Sequence, residues 1–248
     1  MGRMLPKLRL DAALVAAGLA PSRARARALI AAGVVTVAGR PTRRPSTPVP
    51  PDASLALTHD PVPYVSRAAL KLAHALATFA LDPAGGIALD LGASTGGFTE
   101  VLLEAGAAEV WAVDVGHGQM AARLRGDPRV RLIEGLNARD LTAAHVPPPD
   151  WITADLAFIA LSKALPPALA LARPGATLVA LIKPQFEVGP AHVGKGGIVR
   201  DAGAVAAARA GVRDFLVGAG WAVQGEAASP IAGGDGNAEY LIAARKPG

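Results

Sequence analysis

Cysteine is absent from the 248 residues. This excludes a disulfide scaffold, a thiolate metal site and a cysteine nucleophile, and makes a reducing cytoplasm the expected location. Aromatic residues make up 4% of the chain, too few for a broad stacking platform along a single nucleic-acid strand. No uninterrupted apolar run reaches the roughly 18–20 residues of a membrane-spanning helix, so no stable membrane association is expected. A basic start and an apolar run open the chain, but Asp11 interrupts the run and arginines follow directly, which argues against a signal peptide. Histidines and carboxylates show no metal-ligand spacing, so no metal is expected. Internal repeats and heptads are also missing.

What is present is ample apolar material. Hydrophobic residues make up 51%, charged residues 18%, and the mean hydropathy is +0.33, so a folded core is expected. The length suits one large domain, or one domain with a small appendage. The net charge of +5 is unevenly spread: nine Lys/Arg against three acids lie before residue 64, and sixteen against seventeen lie after it. A compact basic module beside a near-neutral body suits a polyanion tether on a catalytic or binding domain, although a solvated basic tail would give the same count.

Proline and arginine crowd residues 41–51, and Asp60-Pro61-Val62-Pro63 is a second breaker cluster. These signals divide the chain into a domain over 1–60, a linker over 61–67 and a domain over 68–248. Within the first, Leu10–Ala17 reads as a helix closed by Gly18, and Ser22 caps a second helix that runs to Ala32 and ends at Gly33. Val34–Val37 reads as a strand with a turn at Ala38-Gly39. The second helix carries Arg23 and Arg27 on one face, with Ala24, Ala28 and Leu29 able to pack behind them. Through Arg9-Leu10-Asp11, Leu14, Ser22-Arg23, Ala28-Leu29-Ile30, Gly33-Val34-Val35 and Val37-Ala38-Gly39, this segment resembles the small RNA-binding domain first named from ribosomal protein S-four. The resemblance implies contacts to structured RNA. Arg9, Arg23, Arg25, Arg27, Arg43 and Arg44 are candidates for them, joined by Arg67 in the linker. A basic docking module for another protein is the alternative.

The second domain alternates helices and strands: a helix over Val65–Phe79, strands at Ile87–Leu91, Glu109–Asp114, Val130–Ile133, Trp151–Asp155 and Thr177–Ile182, and helices over Gly97–Ala105, Ser162–Ala172 and Asp201–Val217. Two final strands, Trp221–Glu226 and Glu239–Arg245, have no helix between them and should pair antiparallel. The fold class is α/β, a doubly wound and mainly parallel sheet with an antiparallel last strand, preceded by a small α+β domain.

Asp90-Leu91-Gly92-Ala93-Ser94-Thr95-Gly96-Gly97-Phe98 follows the first strand of this sheet and opens a helix, where doubly wound folds bind nucleotides. Ser94 replaces the second glycine of the dinucleotide pattern, which disfavours a pyrophosphate. Asp114 ends the next strand, where a carboxylate can accept bonds from ribose hydroxyls. Together these suit adenosine without pyrophosphate, as in S-adenosylmethionine, with Asn137 and Asp155 as further contacts. Gly189–Lys195 imitates a phosphate-binding loop, but Gly196 stands where Ser or Thr would hold magnesium, so ATP is not expected.

Lys71, Asp155, Lys183 and Glu239 fall at element ends facing the same crevice, and Lys183 emerges from an apolar strand just before Pro184. Ser66-Arg67-Ala68-Ala69-Leu70-Lys71-Leu72, Asp90–Phe98, Ala154-Asp155-Leu156-Ala157-Phe158-Ile159, Leu181-Ile182-Lys183-Pro184-Gln185-Phe186-Glu187 and Gly236-Asn237-Ala238-Glu239 carry a resemblance to the TlyA family, often labelled haemolysin A. Its catalytic domain is similar to FtsJ-type RNA ribose methyltransferases. The resemblance implies a Rossmann-like S-adenosylmethionine methyltransferase acting on the ribose 2′-hydroxyl of cytidine in ribosomal RNA or ribosomal subunits, with a monomer as the default assembly. Lys71, Asp155, Lys183 and Glu239 would be catalytic: Lys183 as base, Asp155 holding it, Lys71 and Glu239 positioning the ribose. A lysine has an ordinary pKa of about 10.4, so a base role needs a neighbouring cation or desolvation. Ala68-Ala69, Ala157 and Ala160 depart from the family's usual residues. Two other readings stand beside this one: a ribosome-assembly factor with an inactive methyltransferase fold, and a membrane-active haemolysin. Arg139 could touch cofactor or RNA or be a surface arginine, and Phe158 could touch the target base or cofactor or lie in the core.

Overall fold

The computed structural model describes residues 7–20, 23–51, 53–58 and 64–248. The chain divides into two compact units, Met1–Pro63 and Tyr64–Gly248.

In the first unit, β1 (Leu8–Arg9) runs straight into α1 (Leu10–Ala16), followed by α2 (Arg23–Ala32), β2 (Val35–Val37), β3 (Arg40–Pro41), β4 (Pro48–Val49) and β5 (Leu55–Leu57). Strand β2 pairs antiparallel with β3 and β5, and β1 pairs antiparallel with β4. Leu10, Leu14, Leu29, Ile30 and Val35 are almost wholly removed from solvent and make its core. The buried stripe of α2 is Ala26, Leu29 and Ile30, at the i, i+3, i+4 spacing of one helical face. Ala24 was expected behind the arginines, yet it is exposed, because two residues along a helix turn a side chain to the far side. The expected cap Ser22 lies outside the described residues, as do residues 61–63 of the expected linker.

The second unit contains α3 (Ala69–Thr78), β6 (Ile87–Leu91), α4 (Gly97–Glu104), β7 (Glu109–Asp114), α5 (Ala122–Arg125), β8 (Val130–Glu134), β9 (Trp151–Ala154), α6 (Leu161–Ala164), α7 (Pro166–Leu171), β10 (Thr177–Ile182), α8 (Pro184–Glu187), α9 (Ala202–Gly218), β11 (Ala222–Ala228) and β12 (Tyr240–Arg245). The sheet order is β11-β12-β10-β9-β6-β7-β8. Strands β8, β7, β6, β9 and β10 are parallel, while β12 runs antiparallel to both β10 and β11. This is the doubly wound sheet with a reversed last strand that the pattern predicts. All six residues of β10 are buried, as expected of a central strand covered on both faces. Its side chains alternate: Leu178, Ala180 and Ile182 join the core under α6, α7 and α9, while Val179 and Leu181 join the core under α3 and α4. Burying one such leucine fully contributes roughly 1.5–3 kcal/mol.

Three boundaries differ from expectation. Helix α3 begins four residues late, because the Val65 N–H donates to the Glu100 carboxylate at 2.7 Å and the chain turns before Ala69. Residues 64–67, expected to be linker, therefore belong to the second unit: Tyr64 and Val65 pack on its core, and Ser66 sits against Gly97 so closely that no Cβ would fit there. The helix expected over Ser162–Ala172 is two helices, with Pro166 opening the second, where its missing N–H costs no helical bond.

Candidate active site

The carboxyl ends of β6, β7, β9 and β10 open into a cleft of about 1150 Å³ within the second unit. On one side, the loop after β6 turns at Gly92, whose φ is +80°. A Cβ there would lie 2.5 Å from the backbone oxygen of Asp155, so glycine is what lets the loops after β6 and β9 touch. Gly92, Ala93, Ser94, Thr95, Gly97 and Phe98 line the cleft, and the Asp114 carboxylate fixes this loop by accepting from Ser94 N–H at 2.8 Å and from Gly116 N–H at 2.7 Å. Each carboxylate oxygen keeps a lone pair for a further donor. Asn137 also lines the cleft and accepts from the Arg139 N–H at 3.2 Å. Beside Asp114, Val115 leaves 62% of its surface exposed, an apolar face on the same wall.

Two expected cofactor contacts are withdrawn from this wall. Asp90 is fully buried and accepts from the Thr99 hydroxyl at 2.7 Å and the Thr153 hydroxyl at 2.9 Å. It braces β6 against α4 and β9 from within. Burial pushes its carboxyl up to about 6, against the two threonine hydroxyls that favour the charged form. Gly96 also stays out of the lining, and its φ of +96° turns the chain into α4.

The four ionisable residues meet as a chain of alternating charge. Glu239 Oε2 lies 2.6 Å from Lys71 Nζ, which lies 3.8 Å from Asp155 Oδ2, while Asp155 Oδ1 lies 2.6 Å from Lys183 Nζ. The two 2.6 Å contacts are close in distance but not aligned as hydrogen bonds, since neither carboxylate oxygen has a well-directed donor. They are charge contacts of buried groups: the side chains are 3% (Glu239), 9% (Lys71), 15% (Asp155) and 12% (Lys183) exposed. Lys71, Asp155 and Lys183 line the cleft and Glu239 does not. Glu239, expected to help position the ribose, stands behind Lys71 just before β12, outside the cleft lining.

The rim is aromatic and cationic. Phe158 is 91% exposed at φ +65° and leans on Phe186 with ring centroids 5.2 Å apart, so it is no core residue. Arg67, Arg139 and Lys163 line the mouth. Gln119 accepts from the Ser94 hydroxyl at 3.1 Å, and the Gln185 amide donates to Asp235 at 3.1 Å. Sequence reasoning missed Gln119 and Lys163 as site residues, since a lone polar residue in a turn or on a helix carries no pattern. Gln185 and Phe186 were within reach, because they directly follow Lys183-Pro184. The imitation phosphate loop forms short turns around Pro190–His192 and Lys195–Gly197, with no helix until Ala202.

In the first unit, Arg9, Arg23 and Arg27 surround Asp11 and leave more than half of their side chains exposed. Arg43 and Arg44 are also exposed, with the Arg43 guanidinium against Gly33, and Arg25 is half-buried. Asp11 itself is fully buried, and hydrogen bonds from Arg9 and then Arg23 hold its carboxyl down at about 2.

A Rossmann sheet with a glycine-bent loop, an acid closing the next strand and a reversed last strand defines the class of methyltransferase folds. Comparisons with known proteins agree. The FtsJ-like methyltransferase model matches residues 64–246 and the S4 domain model residues 8–55. The 16S/23S rRNA (cytidine-2′-O)-methyltransferase TlyA of Mycobacterium tuberculosis is 46% identical over 241 residues, covering 96% of this chain and 90% of that protein. A solved structure described as a haemolysin from Streptococcus thermophilus superposes with TM-score 0.78 at 39% identity, over 98% of this chain and 89% of that one. An S-adenosylmethionine-dependent methyltransferase from Listeria monocytogenes shares the fold at TM-score 0.56 and 16% identity, over 73% of this chain and all of that one. The chain belongs to the TlyA family, an FtsJ-like methyltransferase unit preceded by an S4 domain.

Proposed function

We propose that the chain methylates the 2′-hydroxyl of a cytidine ribose in ribosomal RNA, using S-adenosylmethionine, in the cytoplasm and as a monomer. The observation that carries this reading is the buried Lys71–Asp155–Lys183 arrangement opening onto the cleft beside the glycine-bent loop. The name of the M. tuberculosis relative supports the substrate.

The cleft's donor set fits the cofactor: the Asp114 carboxylate suits ribose hydroxyls, Val115 offers an apolar face for a purine, and residues 92–95, Gly97 and Phe98 with Asn137 supply backbone and amide groups. S-adenosylmethionine supplies a methyl group on a positively charged sulfur, which an oxygen nucleophile displaces in line. Lys183 Nζ accepts the proton that the 2′-hydroxyl loses. A positioned acceptor of this kind contributes to the rate by taking the proton as the oxygen–carbon bond forms. Asp155 holds Lys183 at the cleft floor. Lys71 faces the ribose and Glu239 fixes Lys71 from behind. Alignment of this kind supplies a large share of the rate, up to about 7–11 kcal/mol in the best cases. Phe158 offers an exposed ring to the target base, while Arg67, Arg139 and Lys163 meet phosphates at the rim and the first unit's arginines hold the RNA.

The test is transfer of labelled methyl from S-adenosylmethionine to ribosomal subunits lacking the modification. Label at a ribose with wild type and none with Lys183→Ala supports the reading. No label on subunits or naked RNA from folded, cofactor-binding protein overturns it in favour of an assembly factor. Among the described residues no helix is long and apolar enough to cross a membrane, and liposome leakage by the purified protein would favour the haemolysin reading.

A further inference from the structure

Arginines on an RNA-binding face are usually counted as independent charges, and Asp11 would then weaken the face by one. The geometry points to the opposite: we propose that Asp11 is a positioning residue for RNA, a buried carboxylate that locks the guanidinium groups of Arg9 and Arg23, with Arg27 at its edge, into one phosphate-facing cradle. This rests on the reading of the first unit as the RNA-holding part.

The backbone fixes Asp11 in place before any arginine reaches it. Its N–H donates to Pro45 O at 3.1 Å, and the N–H of Leu10 donates to Thr47 O at 2.8 Å, so the start of α1 is clamped to the 45–47 turn. The side chain is 0% exposed. Arg9 Nε donates to Oδ1 at 3.1 Å and a terminal Arg9 nitrogen to Oδ2 at 3.4 Å; Arg23 donates to Oδ2 at 2.9 Å; Arg27 Nε lies 4.0 Å from the same oxygen and donates to the Arg23 carbonyl at 3.3 Å. Residues from two elements, the β1–α1 junction and the first two turns of α2, thus converge on one anion.

Each guanidinium presents five N–H donors in a rigid fork. The carboxylate engages one edge of Arg9 and one nitrogen of Arg23, while those side chains keep 53% and 55% of their surface open, and Arg27 keeps 59%. The remaining donors face solvent with their planes already set, which lowers the side-chain entropy lost when a phosphate binds. Three cations around one anion retain a net positive field, so the cradle keeps its attraction for a polyanion while gaining geometry. The buried anion also suppresses the mutual repulsion that would splay three unpaired arginines apart.

The experiment compares the full chain with Asp11→Asn and Arg23→Lys, measuring affinity for unmodified ribosomal RNA across a salt series. Asp11→Asn makes the protein one charge more positive, so electrostatics alone predicts tighter binding. The cradle predicts that binding weakens several-fold and that the slope of log affinity against log salt becomes shallower by about one. A purely structural role for Asp11 would move the melting temperature without moving that slope in the folded protein. Arg23→Lys keeps the charge at an exposed position but loses the fork, and the cradle predicts the same direction of change. It keeps the proposal testable should Asp11→Asn fail to fold. Wild-type or tighter affinity for Asp11→Asn, or wild-type affinity and slope for Arg23→Lys, overturns the cradle while RNA binding by the first unit stands. Failure of the wild-type chain to bind RNA, or wild-type binding by Arg9→Ala/Arg23→Ala/Arg27→Ala, instead removes the reading on which it rests.

Discussion

The molecule builds two clusters of alternating charge and uses them in opposite ways. Around Asp11, one buried carboxylate serves three arginines whose outer halves remain in water, so the cluster has surplus positive charge turned outward. Around Asp155, two carboxylates balance two lysines, and all four side chains are at most 15% exposed. The first cluster is arranged to attract a polyanion at a distance. The second is neutral as a whole, and its burial keeps each interaction strong because little water screens it. Recognition wants unbalanced charge in water; chemistry on one hydroxyl wants balanced charge out of it.

This contrast is sharpest at Lys183. Lys183→Ala removes the proposed proton acceptor, and methyl transfer is expected to fall about 10²–10⁴-fold, with cofactor affinity, read by calorimetry, staying near wild type. Next is Glu239, whose removal leaves the Lys71 ammonium buried without its nearest partner. Glu239→Ala should cost about 3–5 kcal/mol in denaturant unfolding. The double variant Lys71→Met/Glu239→Leu should recover much of that stability with no activity. If Glu239→Ala proves as mild as a surface change, the buried cluster is not a cluster in the energetic sense and the comparison breaks.

Asp90 gives a smaller effect with a distinctive sign. Its carboxyl is raised to about 6 from an ordinary value near 4. The folded state therefore binds this proton more tightly than the unfolded chain does. Its stabilising contribution is complete below pH 4 and is lost as the pH rises through 6. Relative to Asp90→Asn, wild type should lose stability on the order of 2–3 kcal/mol between pH 4 and pH 7. Parallel pH profiles of the two proteins would refute the assignment. Smallest is Arg23→Ala/Arg27→Ala, which should weaken RNA binding about tenfold and flatten its salt dependence by up to two phosphate contacts, while thermal unfolding of the second unit stays unchanged. Loss of methyl transfer to a saturating RNA concentration in that variant would mean that the two clusters are not separable in function.

Much of this contrast is legible in the sequence: all four residues of the second cluster were named there, but only the arginines of the first. The apolar run Thr177–Ile182 ending at Lys183 marks a central strand delivering a charged residue to the crest. The glycines of 92–97 after Ile87–Leu91 mark the proposed cofactor loop for the same reason of period and position. The arginine pair of α2 follows from helical spacing. The carboxylates are harder to read. Asp11 looks like an isolated acid interrupting an apolar run, and its partner Arg23 lies on the next helix, so the relation appears only when α1 and α2 pack. Asp90 belongs to a recognisable motif, yet whether its side chain faces the cleft or the core depends on the pleat of β6, and Thr99 and Thr153 capture it on the core side. Glu239 was placed at the site, but its position behind Lys71 depends on which strands flank β12. Phe158 shows the limit most clearly: an aromatic residue among apolar neighbours reads equally as a contact or as core, and the choice between them appears only in the structure, where it is exposed with φ at +65°.

The reversed strand β12 also sets a timetable. It lies between β10 and β11, and its pairing with both closes the sheet and brings Glu239 against Lys71. Every other strand of that sheet is synthesised before it. During translation the first unit can finish folding while the second is still emerging, but the second must wait with an unfilled gap between β10 and β11 until residue 245 has left the exit tunnel. The nascent chain therefore completes the arginine cluster of its first unit well before the Lys71–Asp155–Lys183–Glu239 cluster is assembled.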